Sequence, residues 1–212
     1  MSERSADVVS QVARDAHAAV GSVLARAFHD DPLWTVTFPD PHERPSKLKS
    51  MFTALSKATA AARGVVDVTP ENTGAALWTR PGKGIGLWAM LRSGLGLMRF
   101  TMSLPSDERK LMMGVLNQFD EVRKVRMPEP HWYLAAVGVD PAHHGQGLGS
   151  ALLKAGVHRS ERDGAPIYLE TETEQNVVFY ERLGFEVIEE TVATGLGLPI
   201  WLMVRRLGSQ SA

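Results

Sequence analysis

The chain has 212 residues, of which 44% are hydrophobic and 22% charged, and its formal net charge at pH 7 is -1. This length and composition suit one globular domain with a sizeable core, so we expect a single domain over 1–212. The near-neutral charge, with no basic cluster, argues against nucleic acid as a partner. Cysteine is absent, which excludes disulfides, thiolate metal sites and a cysteine nucleophile.

Membrane and export signals are also absent from the pattern. The N-terminal residues are polar and include acids, unlike a signal peptide. The most apolar stretch, 85–100, is interrupted by Arg92, Ser93 and Arg99 and is too short for a membrane span. We therefore expect a cytoplasmic protein that does not bind membranes.

Hydrophobic periodicity and turn residues predict the N-terminal elements. In chain order we expect a short strand near 7–12, an amphipathic helix over 15–29 ended by Asp30-Asp31-Pro32, a helix from near Pro45 to Gly64, and antiparallel strands at 65–69 and 74–79.

The segment at about 82–127 is predicted to be a helical insertion with two helices. The first shows an apolar face at helical spacing, formed by Trp88, Leu91, Leu95 and Met98. The second shows a similar face, formed by Leu111, Val115, Phe119 and Val122. Such faces suit either the wall of a substrate site or ordinary core, since both have the same composition.

A glycine-dense turn joins the next strand and helix. The predicted strand 132–139 ends at Asp140-Pro141, and a helix over 150–162 follows Gly145, Gly147 and Gly149. Glycines let the backbone approach a ligand closely, and a helix N-terminus offers unpaired N–H groups. The pattern therefore predicts a cradle for an anion, most readily a phosphate.

Other phosphate-binding motifs fit poorly. The glycines are spaced G-x-G-x-G rather than G-x-G-x-x-G, and too little chain follows Glu170 for the rest of a doubly wound sheet. No Gly-Lys-Ser/Thr is present, which excludes a Walker A loop. From the loop alone, a turn without any ligand stays open as an alternative.

The C-terminal part continues the alternation of strands and helices. We expect a strand at 166–170, a short helix at 176–183 ended by Gly184, a strand at 185–191, a glycine-rich hairpin at 194–199 and a strand at 200–205. The whole pattern predicts an α/β fold of the α+β type, in which a mixed sheet carries helices on both faces.

Two motifs carry a resemblance to the GNAT superfamily of acetyl-CoA-dependent N-acetyltransferases. The stretch His144-Gly-Gln-Gly-Leu-Gly149 is similar to the family loop Gln/Arg-x-x-Gly-x-Gly/Ala, with His in place of Gln or Arg. The stretch from Asn176 to Phe179-Tyr-Glu-Arg-Leu-Gly-Phe185 is similar to the family's Asn…Phe-Tyr-Glu-x-Leu-Gly-Phe. About 130–207 resembles the puromycin N-acetyltransferase branch in particular. The resemblance implies a GNAT fold with a mixed sheet of about six or seven strands, and acetyl-CoA as cofactor.

The same resemblance implies a cofactor site. The backbone of Val137–Val139 would lie beside the pantetheine arm, on a strand that splays from its neighbour, and the Val137 amide would polarise the thioester carbonyl. The expected cofactor-binding residues are Val137, Gly138, Val139, His144, Gly145, Gln146, Gly147, Leu148, Gly149, Ser150, Asn176, Phe179 and Arg182. Asn176 is also expected to cap the helix that it begins.

Two residues are the candidates for catalysis. Tyr180 would act as the general acid that protonates the leaving thiolate, because a phenol is protonated at pH 7. Glu170 would orient or deprotonate a cationic amine, with His131 or water as alternative bases. Period-two spacing would place Glu172 and Glu174 on the face of Glu170 if the strand continues. No residue spacing suggests a metal, and the lack of cysteine favours direct attack in a ternary complex.

We therefore expect acetyl transfer to the primary amine of a small molecule, for which an antibiotic of the puromycin type is one candidate. Acetylation of a peptide or protein amine is an alternative, as is an acyl-CoA-binding regulator without catalysis. The presence of Tyr180, the candidate general acid, argues against a regulator without catalysis. The sequence leaves the oligomeric state open, and a homodimer is among the arrangements that it allows.

Overall fold

A seven-stranded mixed sheet forms the centre of the computed structural model, which describes residues 9–82 and 91–209. In chain order the strands are β1 (Ser10–Gln11), β2 (Val65–Val68), β3 (Gly74–Thr79), β4 (Trp132–Val139), β5 (Ile167–Thr171), β6 (Glu186–Val192) and β7 (Pro199–Arg205). Their order across the sheet is β1-β2-β3-β4-β5-β7-β6. Among the strands of the described ranges, β4 and β5 pair in parallel and all other neighbouring pairs are antiparallel.

Helices connect these strands. They are α1 (His17–Ala27), α2 (Pro32–Thr37), α3 (Arg44–Ala61), α4 (Gly96–Ser103), α5 (Ser106–Arg126), α6 (Leu148–Asp163) and α7 (Glu174–Glu181). Short 3-10 turns lie at Pro70–Asn72 and Pro141–His143.

The two faces of the sheet bury separate hydrophobic clusters. Successive side chains of a strand point to opposite faces, so that Leu77 joins one cluster and Trp78 the other. The first cluster includes buried residues of α1 to α5, and the second includes Leu152 and Leu153 of α6 and Tyr180 of α7. Helices therefore cover both faces, as the sequence predicts.

Strands β4 and β5 part soon after they begin. They pair only at Trp132 with Ile167 and at Tyr133 with Tyr168. On its other edge β4 stays paired with β3 as far as Val139, after a register shift opposite Leu77 and Trp78. The second half of β4 therefore has a strand partner on one side only.

The predicted elements agree well with the observed ones at most positions. Strand β4 has the predicted bounds, and α1, α3, α6 and the hairpin of β2 and β3 lie where periodicity and glycine stops place them. Of the strand expected near 7–12, the structure describes 9–12, and β1 covers Ser10–Gln11.

The prediction for Asp30-Asp31-Pro32 was incomplete. Helix α1 ends at Ala27, and Asp31 begins a further helix, α2, that the sequence analysis missed. The Asp31 side chain accepts hydrogen bonds from the amides of Leu33 and Trp34. Aspartate before a proline at the first helical position is a signature of a helix start, and this signal was available in the sequence.

The first helical face proposed for the insertion was wrong. Trp88 lies outside the described residues, Leu95 has a left-handed backbone with φ 58°, and Leu91 and Met98 are 46% and 45% exposed. Helix α4 begins only after Leu95 and buries Phe100 instead. The second face was confirmed: Val115 is buried, and Phe119 and Val122 pack against the first cluster.

Within the described ranges, no helix is both long and apolar enough to cross a membrane.

Candidate functional site

A cavity of about 990 Å³ opens where β4 and β5 part. Its wall combines the end of β4, the glycine-rich loop, the start of α6, the end of β5 and one side of α7. The helices α1, α2, α3 and α5 add apolar side chains from the first face of the sheet, among them Phe28, Trp34, Phe52, Leu116 and Phe119. Motifs that are distant in sequence thus border one space.

The glycine-rich loop forms an open cradle at one end of this cavity. Gly145 and Gly147 have φ of 77° and 76°, and a Cβ added to either would meet nothing within 4 Å. Gly147 is the N-cap of α6, and the amides of residues 145–150 donate to no protein acceptor in the described part of the chain. Free amides at the start of a 16-residue helix favour an anion at this position.

His144 bonds back to the strand that precedes the loop. Its Nε2–H donates to the backbone oxygen of Val139 at 3.0 Å. Asp140 braces the same turn, because its carboxylate accepts from the Ala142 amide and from Arg26 of α1. These contacts fix the segment that leads into the loop, while its glycines stay open.

Gly138 serves packing as well as the cavity wall. A Cβ at this position would lie 2.7 Å from Cβ of Ala27 and 3.1 Å from Cδ2 of Leu24. Helix α1 can therefore approach β4 closely only because residue 138 has no side chain.

Tyr180 borders the cavity from α7. The residue is only 7% exposed and packs against the rings of Phe179 and Phe185, with centroids 5.5 and 5.6 Å away. Its hydroxyl has no hydrogen-bond partner among the described residues. Burial, and then the charges of Glu172 and Asp31, raise the pKa of this phenol above its usual value, so that it holds its proton firmly.

Glu170 lies near the end of β5, on the side of the sheet that carries Tyr133, Tyr168 and Arg123 of α5. Its Oε1 atom is inaccessible to solvent and has no hydrogen-bond partner among the described residues. Burial raises the pKa of this carboxyl to about 7, against the opposing effects of the Arg123 charge and the two tyrosine hydroxyls. The Arg123 guanidinium stacks 4.3 Å from the centre of the Tyr133 ring.

Glu172 and Asp31 add two more carboxylates to the cavity wall. Burial, and then the charges of Asp31 and Glu170, raise the pKa of Glu172. Burial also raises the pKa of Asp31, although the amides of Trp34 and Leu33 oppose the shift. The sequence analysis missed Asp31 as a site residue, because its place beside Glu172 depends on tertiary packing.

Most of the predicted site residues border this cavity: Val137, Gly138, Val139, His144, Gly145, Gly147, Leu148, Gly149, Ser150, Glu170, Asn176, Phe179, Tyr180 and Arg182. Gln146, Glu174 and His131 do not. His131 instead packs its ring 5.7 Å from that of Tyr168, and burial lowers its pKa.

Two details of α7 correct the sequence analysis. Thr173, rather than Asn176, is the N-cap, and its hydroxyl accepts from the Asn176 amide at 3.3 Å. Strand β5 ends at Thr171, so Glu174 starts the helix and does not share the face of Glu170. The helix begins two residues earlier than its apolar pattern indicates, because Thr173 supplies the cap.

No group of three or more His, Cys, Asp or Glu side chains in the described ranges could hold a metal ion.

Comparison with known proteins gives the same architecture. Residues 100–185 match the model of the acetyltransferase (GNAT) family. An uncharacterized N-acetyltransferase of Schizosaccharomyces pombe is 28% identical over 90% of this chain and 79% of that protein. A Corynebacterium glutamicum structure, described as histone acetyltransferase HPA2 and related acetyltransferase, is 25% identical with a TM-score of 0.66, covering 97% of this chain and 98% of that one. Salmonella typhimurium yncA, solved with its cofactor acetyl-CoA, shares the fold at 21% identity and a TM-score of 0.54, covering 96% and 95%.

Proposed function

We propose that this chain is a GNAT-type N-acetyltransferase that transfers the acetyl group of acetyl-CoA to the primary amine of a small molecule by direct attack in a ternary complex. The observation that carries the proposal is the shared cavity, which places a phosphate cradle, an unpaired strand edge and a buried phenol around one space. We place the reaction in the cytoplasm.

The residues of the cavity fit acetyl-CoA. Gly145, Gly147 and the first amides of α6 would bind the pyrophosphate, since a Cβ at either glycine would fill open space and the amides lack partners. Asn176, Phe179 and Arg182 would border the rest of the cofactor along α7. Acetyl-CoA would supply the activated thioester.

The free edge of β4 would hold the pantetheine arm. The Asp140 amide donates to the backbone oxygen of Thr73, on the β3 side of β4. Backbone amides alternate in direction along an extended strand, so the amides of Val137 and Val139 face the opposite side, away from β3. The bond from His144 to the Val139 oxygen agrees with this orientation. The Val137 amide would then polarise the thioester carbonyl, a contact typically worth about 3 kcal/mol of barrier.

Two side chains would carry the proton transfers. Tyr180 would protonate the leaving thiolate, a role that suits a buried phenol with no competing hydrogen bond in the described part of the molecule. Glu170, with a pKa of about 7, would orient the amine and accept its proton near neutral pH.

The shape of the cavity favours a small acceptor over a peptide. Helices α1, α2, α3 and α5 all contribute to its wall, and the aromatic side chains there suit an amine with an apolar body. We propose one domain over 1–212, in which the helical insertion at about 82–127 shapes the acceptor end. An aromatic amine of the puromycin type fits this description.

Two measurements test the proposal. Isothermal titration should show acetyl-CoA binding in the micromolar range without added metal. Release of free thiol should then be followed with 2-phenylethylamine, spermidine, puromycin and a lysine-containing peptide. We expect turnover with at least one small amine and none with the peptide. Failure to bind acetyl-CoA at millimolar concentration would contradict the proposal, and turnover of the peptide alone would move it to the protein-amine alternative.

A further inference from the structure

We propose that Glu172 and Asp31 form a proton relay that returns a proton to Tyr180 during each acetyl transfer. This inference rests on the proposed function. It assigns the reprotonation of Tyr180 to Glu172 and leaves the deprotonation of the amine to Glu170.

The placement of the polar atoms is the first argument. Tyr180 is buried and borders the cavity, and its hydroxyl has no protein partner in the described ranges. Glu172 likewise makes no hydrogen bond or ion pair there and borders the same cavity. Asp31 accepts the amides of Leu33 and Trp34, at 3.0 and 3.4 Å, through Oδ1 alone, which leaves Oδ2 available. A buried phenol thus shares one space with two carboxylates that pair with no cation among the residues that the structure describes.

The charges divide the acidic residues into two groups. The charge of Glu170 raises the pKa values of Tyr133 and Tyr168. The charges of Glu172 and Asp31 raise the pKa of Tyr180. The charge of Asp31 raises the pKa of Glu172, since two neighbouring carboxyls do not readily both ionise, and we assign one shared proton to the pair. The other titratable groups that line the cavity are Tyr133, His143, His144, Glu170 and Arg182, and Glu170 is the one whose charge acts on Glu172.

The relay balances the protons of the second half of the reaction. The amine nitrogen forms a bond to the acetyl carbon, the carbon–sulfur bond breaks, and Tyr180 gives its proton to the sulfur. The protonated member of the pair then gives its proton to the phenolate. The acylated nitrogen releases its surplus proton to solvent, and the emptied carboxylate regains a proton from solvent, which restores the pair. Glu170 removes only the earlier proton of the ammonium, and that proton leaves to solvent.

Kinetics can show whether Glu172 acts through Tyr180. With acetyl-CoA and the fastest amine of the panel above, Glu172→Gln should lower kcat by about 10- to 100-fold without changing acetyl-CoA affinity. The double variant Glu172→Gln/Tyr180→Phe should be no slower than Tyr180→Phe alone, because the relay has no purpose without the phenol. Multiplicative losses in the double variant would overturn the proposal.

Two further variants serve as matched comparisons. Asp31→Asn keeps the helix cap, since Asn caps as well as Asp, but removes the second carboxylate and should reproduce part of the Glu172→Gln loss. Glu174→Gln changes an exposed carboxyl two residues away and should leave kcat unchanged. Normal turnover in Asp31→Asn would exclude Asp31 from the relay.

A measurement without any acceptor separates this inference from the proposed function. Because Glu170 also has a pKa of about 7, infrared spectra are recorded with Glu170→Gln as the background. At pH 7 they should show a protonated carboxyl that disappears when Glu172→Gln is added and weakens when Asp31→Asn is added. If the protein binds no acetyl-CoA, the proposed function fails whatever the spectra show. If it acetylates an amine but the carboxyl band survives in both variants, the relay alone is wrong.

Discussion

Burial and neighbouring charges shift the pKa values of Tyr180 and Glu170 in directions that suit the proton transfers proposed for them. The phenol of Tyr180 keeps its proton because its anion would be desolvated beside Glu172 and Asp31. The carboxyl of Glu170 has a pKa of about 7 for the same reason, moderated by Arg123. One group is held protonated and the other is poised near neutrality, which is how an acid and a base can work at one pH.

Tyr180→Phe should lower kcat by about 10- to 1000-fold while the fold and acetyl-CoA affinity stay intact. The change removes a hydroxyl with no protein partner in the described residues, and the ring still packs between Phe179 and Phe185. Steady-state rates, thermal unfolding and titration calorimetry on both proteins check this. If the rate of the chemical step were unchanged, Tyr180 would have a packing role and would not be the general acid.

Glu170→Gln should reduce kcat/KM most above pH 7 and least below it. The pKa of about 7 means that the native carboxyl is ionised, and able to accept a proton, only at higher pH. Below pH 6 the native side chain is mostly protonated and resembles glutamine, so the two pH–rate profiles should converge there. Profiles that run parallel over the whole range would make Glu170 a bystander.

At this scale the sequence reveals some site residues and hides others. Tyr180 and Glu170 could be predicted because they stand in or beside a recognisable motif on adjacent elements. Asp31 and Arg123 could not, because they reach the site from α2 and α5, far away along the chain. No local pattern encodes which distant charge will face a buried carboxyl.

At the scale of elements, the start of α6 depends on backbone conformation more than on side chains. Gly147 caps the helix in a left-handed conformation, and the same conformation recurs at Gly164, which ends it. Both glycines have open space where a Cβ would be. The same substitution at Gly147 and at Gly164 therefore imposes the same backbone strain at the two ends of one helix, and only the position of the new side chain differs.

Gly147→Leu should weaken acetyl-CoA binding by about tenfold or more, whereas Gly164→Leu should not. Each change forces a side chain into a left-handed conformation, at a cost of about 1–2 kcal/mol in stability. Only the side chain at 147 would project into the cradle. Calorimetric affinities and denaturation midpoints of both variants distinguish the two effects, and equal losses of affinity would argue against a phosphate cradle at this loop.

The elements that could be predicted are those whose local signals agree with their tertiary setting. The hairpin of β2 and β3, the strand β4 and the helix α6 combine clear periodicity with glycine or proline stops. The prediction failed around Leu95, where an apolar repeat crosses a left-handed turn. Hydrophobic spacing does not record a break in the backbone, and the side chains after it face a different direction.

For the molecule as a whole, ionisation of the cavity is coupled to folding. The raised pKa values of Asp31, Glu170 and Glu172 mean that the folded protein binds these protons more tightly than the unfolded chain does. Their contribution to stability is complete below the unfolded-state pKa values of about 4 and is lost as the pH rises through the folded-state values. Paired surface carboxyls such as Asp140 and Glu161 have lowered pKa values and act in the opposite direction.

Glu170→Gln should therefore be more stable than the native protein at pH 8, by on the order of 1–3 kcal/mol, and similar to it at pH 4.5. Glutamine keeps the shape of the side chain but has no charge to desolvate. Urea denaturation at both pH values measures the difference, and the surface carboxyls cancel because both proteins contain them. Glu174→Gln provides the control, and a gain at pH 4.5 as large as that at pH 8 would show that charge is not the cause.

The early parting of β4 and β5 also divides the sheet mechanically. Strands β1 to β4 form one hydrogen-bonded block, strands β5 to β7 form another, and the two are joined edge to edge at only two residue pairs. A ligand lying along the free edge of β4 would connect the two blocks, because its amide groups could form the strand-to-strand hydrogen bonds that β4 and β5 do not form with each other. Loading the cavity would then make the two halves open and close to hydrogen exchange as one unit, so that the cooperativity of the fold depends on what the enzyme holds.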